Sequence, residues 1–268
     1  MPEGDAVRRT ADRLDRALAG ERLTASDLRV PQLATSNLAG AEVHRTATHG
    51  KHLLTRLTTA AGEDLTLHTH LKMEGSWRVI APGGRWPAPA PDVRVVLRSA
   101  RVEAVGVLLG LVELLPTAQE SSVIGHLGPD LLGTWTAEQA AQGLERLLVD
   151  PRRVLGEALL DQRVVAGIGT IWLAETCFVQ GAHPLSPVAA VPDPARLLAR
   201  ARLMLQAAMT YGRPVTTGDR RNPLWVYGRQ GQPCRRCRTT VQAGSVGRAP
   251  TMRTTYWCPR CQPRATDT

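Results

Sequence analysis

The sequence predicts an α+β chain of more than one domain. Three observations carry this: strand-type alternation between residue 22 and about residue 115, helix-type periodicity from Gly128-Pro129 onward, and four cysteines spaced C-x2-C-x20-C-x2-C near the end. The 268 residues allow one large domain or two ordinary ones. A hydrophobic share of 43% with 21% charged residues suffices for a buried core and excludes a disordered chain.

The elements follow in order. Val7, Ala11, Leu14 and Leu18 keep helical spacing, with Gly20 as the stop and Glu3 and Asp5 in the first turn, where the helix dipole favours acids. Asp64–Leu71 alternates, as do parts of Val93–Leu115, and the Gly/Pro-rich stretch Ala81–Pro91 separates them. Several antiparallel strands, hence a sandwich or a barrel, are predicted here. Thr136 with Gln139 reads as a capping box. Helices are predicted over Arg152–Asp161, over Thr170–Val179, and from Asp193-Pro194 to Gly212, with short strands and turns after Trp225. The change from strand to helix falls near residue 125, and there is no internal repeat.

No run of about 18 apolar residues occurs, so no membrane span is expected. The start MPEGDAVRRT lacks the basic and then apolar pattern of a secretory signal, which makes a cytoplasmic location the expectation. A small residue follows Met1, so removal of Met1 to leave Pro2 as the mature terminus is expected as well.

The charge is concentrated. Between Arg213 and Arg264 stand eleven arginines, no lysine and one acid, Asp219, while the rest of the chain is close to neutral. A localised basic patch points to a polyanion partner, against the plainer reading of a solubilising tail. The only lysines are Lys51 and Lys72. Base composition accounts for their scarcity, yet a retained lysine can do what arginine cannot, which is give up its proton at useful pH.

Cys234, Cys237, Cys258 and Cys261 have the spacing of a tetrahedral zinc site, in which two tight turns each present two thiolates. A pair of disulfides is the alternative, disfavoured without a secretion signal. Cys177, in an apolar helical stretch, reads as a core residue. His68 and His70 share one face of a strand; a second metal site is conceivable, but alternation with Leu65, Leu67 and Leu71 favours partly buried histidines.

Four features carry chemistry. Pro2 at the terminus would offer a secondary amine, partly unprotonated at neutral pH, that can attack an electrophilic carbon and form an iminium, with Glu3 beside it to deliver a proton. Lys51 in His49-Gly50-Lys51-His52 is an acid/base or phosphate-contact candidate. In Leu159–Trp172, Gly167 and Gly169 precede a helix beginning near Thr170, where backbone N–H groups can receive an anion such as phosphate; a glycine turn between packed helices is the alternative. Arg253 lies between the two cysteine pairs, where a hairpin tip could carry it to a phosphate backbone.

The combination resembles the Fpg/Nei family of bifunctional DNA glycosylases, formamidopyrimidine-DNA glycosylase and endonuclease VIII. The resemblance spans essentially the whole chain through MPEGD, GKHL at Gly50–Leu53, HLKMEGSWRV at His70–Val79, LGPDLL at Leu127–Leu132, LLDQRVVAGIG at Leu159–Gly169, VYGRQGQPC and YWCPRCQ. The Pro-Glu-Gly start looks more like the endonuclease VIII branch. The resemblance implies a two-layer antiparallel β-sandwich domain with an N-terminal helix over residues 1–125. It implies a helical domain with a helix–two-turn–helix motif over 126–222 and a β-hairpin zinc finger over 223–264. DNA would lie in the cleft between the halves with the damaged nucleotide flipped out. Pro2 would attack C1′, Glu3 would protonate the sugar ring oxygen, and Lys51 would lie near the damaged sugar and its phosphate. Arg253 would grip phosphates around the lesion, and Met73 would fill the gap left by the flipped base. One zinc ion would be structural, because four thiolates leave no open position for water.

The implied activity is excision of oxidised bases, pyrimidines first, with β,δ-elimination at the abasic site. The alternatives are a formamidopyrimidine/8-oxoguanine-specific member or a non-catalytic zinc-ribbon DNA-binding protein. A monomer is expected, with damaged DNA as partner and no protein partner inferable. Four departures stand out. Thr170 replaces the asparagine that usually holds a phosphate, which predicts a weaker contact there. Ala6 stands where the best-known members carry a second acid, Glu74 sits beside the wedge residue, and Arg238 replaces the usual glycine after Cys237.

Overall fold

The computed structural model describes residues 2–265. The chain divides into two compact units: Pro2 with Ala6–His126, and Glu3–Asp5 with the residues from Leu127 on.

The first unit contains most of helix α1 (Gly4–Leu18) and eight strands: β1 (Leu23–Leu28), β2 (Glu42–His49), β3 (His52–Thr58), β4 (Asp64–His70), β5 (Ser76–Ile80), β6 (Val93–Ser99), β7 (Glu103–Val107) and β8 (Leu111–Pro116). They form two four-stranded antiparallel sheets, ordered β1-β6-β7-β5 and β2-β3-β4-β8. One core joins the inward residues of both sheets, such as Leu23, Leu53, Leu67, Val95 and Leu97, to the apolar stripe of α1. That stripe is the predicted one: Val7, Ala11, Leu14 and Leu18 are all buried, which is what spacings of three and four residues do on a helix. Gly20, at φ +78°, turns the chain after it. A short helix α2 (Glu120–Ile124) ends the unit, with Glu120 in a bidentate pair to Arg56.

The second unit holds α3 (Ala137–Leu148), α4 (Leu155–Leu160), α5 (Thr170–Gln180) and α6 (Pro194–Tyr211), then the hairpin β9 (Gln242–Val246) and β10 (Arg253–Trp257). The Thr136/Gln139 capping box opens α3, and the Asp193 side chain caps α6. The helix predicted over Arg152–Asp161 is shorter. Its first residues are held in a turn by Arg153 N–H on Asp150 C=O, and Val154 pairs as an isolated bridge with Pro187, so the helix starts only at Leu155. Helix α5 is almost wholly buried, including Trp172, Phe178 and the core thiol Cys177, which burial pushes up to about 12. Among the described residues, no helix is long and apolar enough to cross a membrane.

Candidate active site

In the second unit, the residues after the N-terminal proline converge on the start of α5. Glu3 is 2% exposed. One carboxylate oxygen accepts the N–H of Ile171 at 2.8 Å, the other accepts that of Trp172 at 3.2 Å, and the Thr170 hydroxyl donates to the first at 3.4 Å. An anion at this end complements the helix dipole and satisfies donors that have no partner within the helix. Gly4 N–H donates to Gly167 C=O at 2.9 Å. Two glycines make the approach possible. A Cβ on Gly169 would stand 2.3 Å from the Glu3 carboxyl carbon, and one on Gly4 would stand 2.9 Å from Gly167 Cα. Asp5, also 2% exposed, accepts the indole N–H of Trp172 at 2.9 Å.

Two backbone donors just past the loop expected to receive a phosphate are taken by Glu3. Gly167, Gly169 and Thr170 are buried, Gly167 N–H goes to Gln162 Oε1 at 3.0 Å, and the Ile171 and Trp172 N–H groups go to Glu3. The chain supplies its own carboxylate as the anion. Gly167 has φ +111°, a conformation glycine supplies readily.

In the first unit, Pro2 is half-buried, and Met1, whose removal would free the Pro2 nitrogen, lies outside the described residues. Lys51 sits at the tip of the β2–β3 hairpin. His49 pairs with His52, leaving Gly50-Lys51 as a two-residue loop whose first position takes φ +58°. Met73 is 60% exposed at the tip of the β4–β5 loop. That loop is closed tightly: Gly75 N–H donates to Leu71 C=O, a Cβ on Gly75 would meet that oxygen at 2.4 Å, and Lys72 takes φ +51°.

His68 and His70 belong to a larger cluster than the sequence indicated. His52 Nδ1 and His68 Nε2 are 2.8 Å apart, and His68 Nδ1 lies 3.0 Å from a Glu113 carboxylate oxygen. The His70 ring meets that of His52 edge-on at 4.9 Å, and Lys72 N–H donates to His70 Nδ1. Burial first, then the neighbouring His70, His68, His126 and Lys72, push His52 down to about 3. Burial, then Lys72, Lys51 and His68, push His70 down to about 4. Both of the chain's lysines thus act on one histidine.

The four cysteine sulfurs lie within 4.8 Å of one another, the one such ligand group among the described residues. Separations of 4.0 Å for Cys234–Cys261 and 3.4 Å for Cys237–Cys258 are close to the edge of about 3.8 Å that a tetrahedral zinc tetrathiolate requires. Arg253 opens β10, is exposed, and donates only to the nearby carbonyls of Thr251 and Met252. Arg238 adopts φ +69°, so the turn after Cys237 keeps the glycine-like conformation although it carries a side chain.

Two positions escaped the sequence reading. Glu175 is fully buried in α5 and accepts the N–H groups of Trp225, Val226 and Tyr227, each at 2.9 Å, and the Thr216 hydroxyl. A lone carboxylate in the apolar stretch TIWLAETCFV was the available signal, because a buried charge must be paired. Gln262 accepts from Cys258 N–H and donates to Ala182 C=O. With Arg236 stacked over Phe178 and Trp225, these contacts tie the cysteine module to α5.

Residues 1–107 match the formamidopyrimidine-DNA glycosylase N-terminal domain. The chain belongs to the Fpg/Nei family of DNA glycosylases, and its curated relatives place it on the endonuclease VIII branch. It is 49% identical to probable endonuclease 8 2 of Streptomyces coelicolor, over 98% of this chain and 94% of that one. It is 45% identical to the DNA-(apurinic or apyrimidinic site) lyase Nei2 of Mycolicibacterium smegmatis, over 98% and 99%. Among solved structures, Lactococcus lactis Fpg in complex with an oxidised-pyrimidine-containing DNA matches with TM-score 0.79 and 25% identity, over 98% of this chain and all of that one.

Proposed function

We propose that the chain is a base-excision-repair DNA glycosylase with AP lyase activity, acting on oxidised bases and foremost on pyrimidines. The observation that carries this is Glu3. A carboxylate next to the terminal proline, buried and held by two backbone N–H groups, is far more constrained than a first-turn acid needs to be.

In the proposed reaction, the Pro2 nitrogen, freed of Met1, forms a bond to C1′ of the flipped nucleotide while the C1′–base bond breaks. Glu3, acting in its protonated form, donates the proton that opens the sugar at its ring oxygen and is left as the carboxylate that the Ile171 and Trp172 N–H groups hold. The C1′ iminium acidifies the 2′ carbon; loss of that proton expels the 3′ phosphate, a second elimination expels the 5′ phosphate, and water releases the sugar fragment from Pro2. Lys51 and Arg253 hold phosphates at the damaged nucleotide, and Met73 enters the vacated stack. Gly167, Gly169 and Thr170 meet a DNA phosphate at the loop before α5, Gly169 also leaves room for the Glu3 carboxylate, and the Thr170 hydroxyl donates to it. Cys234, Cys237, Cys258 and Cys261 would bind one zinc ion, whose contribution when bound is to fold the hairpin that carries Arg253. The enzyme is proposed to act as a cytoplasmic monomer on damaged DNA. The proposed architecture is a catalytic domain over 1–125, a helical DNA-binding domain over 126–222 and a finger over 223–264.

A lesion panel tests this reading: thymine glycol, dihydrouracil and 8-oxoguanine in duplex and single strands, with product ends resolved. Release of the pyrimidines ahead of 8-oxoguanine, leaving phosphate at both ends of the gap, is expected. Preference for 8-oxoguanine would move the chain to the formamidopyrimidine specificity, and binding without release would make it a zinc-ribbon DNA-binding protein.

A further inference from the structure

We propose that Asp5 and Trp172 are a positioning pair for the N-terminal nucleophile. The proposal rests on the reading of Pro2 given above. Trp172 is fully buried, and a buried indole N–H requires an acceptor. Asp5 is a buried carboxylate and requires a donor. Each meets the other's need at 2.9 Å. A phenylalanine would fill the apolar space at residue 172 without making that demand.

The pair completes a three-point fixation of consecutive residues. Glu3 is held through its carboxylate, Gly4 through its backbone to Gly167, and Asp5 through its carboxylate to Trp172. Glu3 and the Gly4 backbone are held at adjacent residues, and the Asp5 anchor extends the fixed stretch to a third. Pro2 is one peptide bond from the fixed segment, so only two backbone rotations, about Glu3 N–Cα and Pro2 Cα–C, separate its nitrogen from the anchored atoms. Orientation of this kind carries much of a catalytic rate, and a misplacement of about 1 Å costs up to about a hundredfold.

Geometry also bears on Ala6. Neighbouring positions on a helix point about 100° apart, so an acid at residue 5 does not face where an acid at residue 6 would. Asp5 does not replace the acid absent at residue 6; it turns onto α5.

The test uses the zinc-loaded, full-length protein lacking Met1, with borohydride trapping on abasic-site DNA under single-turnover conditions, alongside steady-state kinetics. Trp172→Phe keeps an aromatic ring, though a smaller one, and removes the N–H; Asp5→Ser is too short to reach the indole; Asp5→Asn keeps an acceptor oxygen. Trp172→Phe and Asp5→Ser are each expected to slow trapping about 10- to 100-fold through kcat, with KM within about twofold. Their combination should be no slower than the slower single variant, and Asp5→Asn should recover to within about threefold of the parent. Variants that lower Tm yet trap at the parental rate when fully folded would overturn the proposal, as would failure of both Trp172→Phe and Asp5→Ser to fold. If the parent protein does not trap at all, the reading of Pro2 fails instead.

Discussion

The two ends of the proposed machinery are built on opposite principles. At the start of α5, Glu3 and Asp5 are buried and their hydrogen bonds reach partners more than 160 residues away in the chain. At the β9–β10 hairpin, Arg253 is exposed and bonds only to carbonyls one and two residues away. A group that must meet one carbon atom is fixed by long-range contacts that local fluctuation does not loosen. A group that must find phosphates on a deformable duplex keeps an exposed side chain, while the hairpin under it is held by Val246, which pairs with Arg253 and is buried in the helical core, and by Gln262 and the cysteine cluster.

The strongest way to break this contrast is Glu3→Ala. It removes the proposed proton donor and leaves the Ile171 and Trp172 N–H groups without their acceptor. Single-turnover excision should fall on the order of a thousandfold. Stability should fall by about 2–4 kcal/mol in denaturant titration, because each unsatisfied buried donor costs about 1–3 kcal/mol. Arg253→Ala should do the reverse. Binding to abasic-site DNA should weaken about tenfold and the slope of log affinity against log salt should drop by about one, with the thermal midpoint unmoved. Equal loss of stability in both variants would erase the distinction.

Acid should weaken the first unit through its histidine cluster. His52 and His70 are held at about 3 and about 4, below the ordinary value of 6.5, so between about pH 6.5 and pH 4 the unfolded chain binds more protons than the folded one. Stability is then complete above that window and falls as pH drops through it. Thermal melts at pH 7, 6 and 5 should show a declining midpoint, with a shallower decline in His52→Gln. The smallest expected effect is at Arg238. Replacing it by glycine relieves a left-handed residue at some cost in unfolded-chain entropy and should stabilise the zinc-loaded protein by about 0.5–1 kcal/mol.

How much of this was legible follows from the range of the forces involved. The stripe of α1, the Thr136 and Asp193 caps and the cysteine spacing are local patterns, and each appears where the sequence indicates it, whereas β4 forms as a strand but is buried on both faces over Thr66–Thr69 rather than alternately. Pro2, Glu3, Lys51 and Arg253 were singled out because their neighbours form recognisable motifs. The partners were not. Nothing local ties Glu3 to residue 171, Asp5 to Trp172, His68 to Glu113 or Glu175 to residues 225–227, because these pairings exist only once distant segments are packed. The glycine loop shows the consequence. It reads as a phosphate site, and just beyond it the N–H groups of Ile171 and Trp172 hold an anion from the other end of the chain.

The central claim is that the first nitrogen of the processed chain bonds to deoxyribose, and one measurement addresses it directly. Protein and abasic-site DNA are mixed with borohydride, digested, and the adduct is located by mass spectrometry. The account predicts a sugar adduct on the nitrogen of Pro2 in chains that have lost Met1. An adduct on Lys51 or Lys72, or none from fully processed protein, would contradict it.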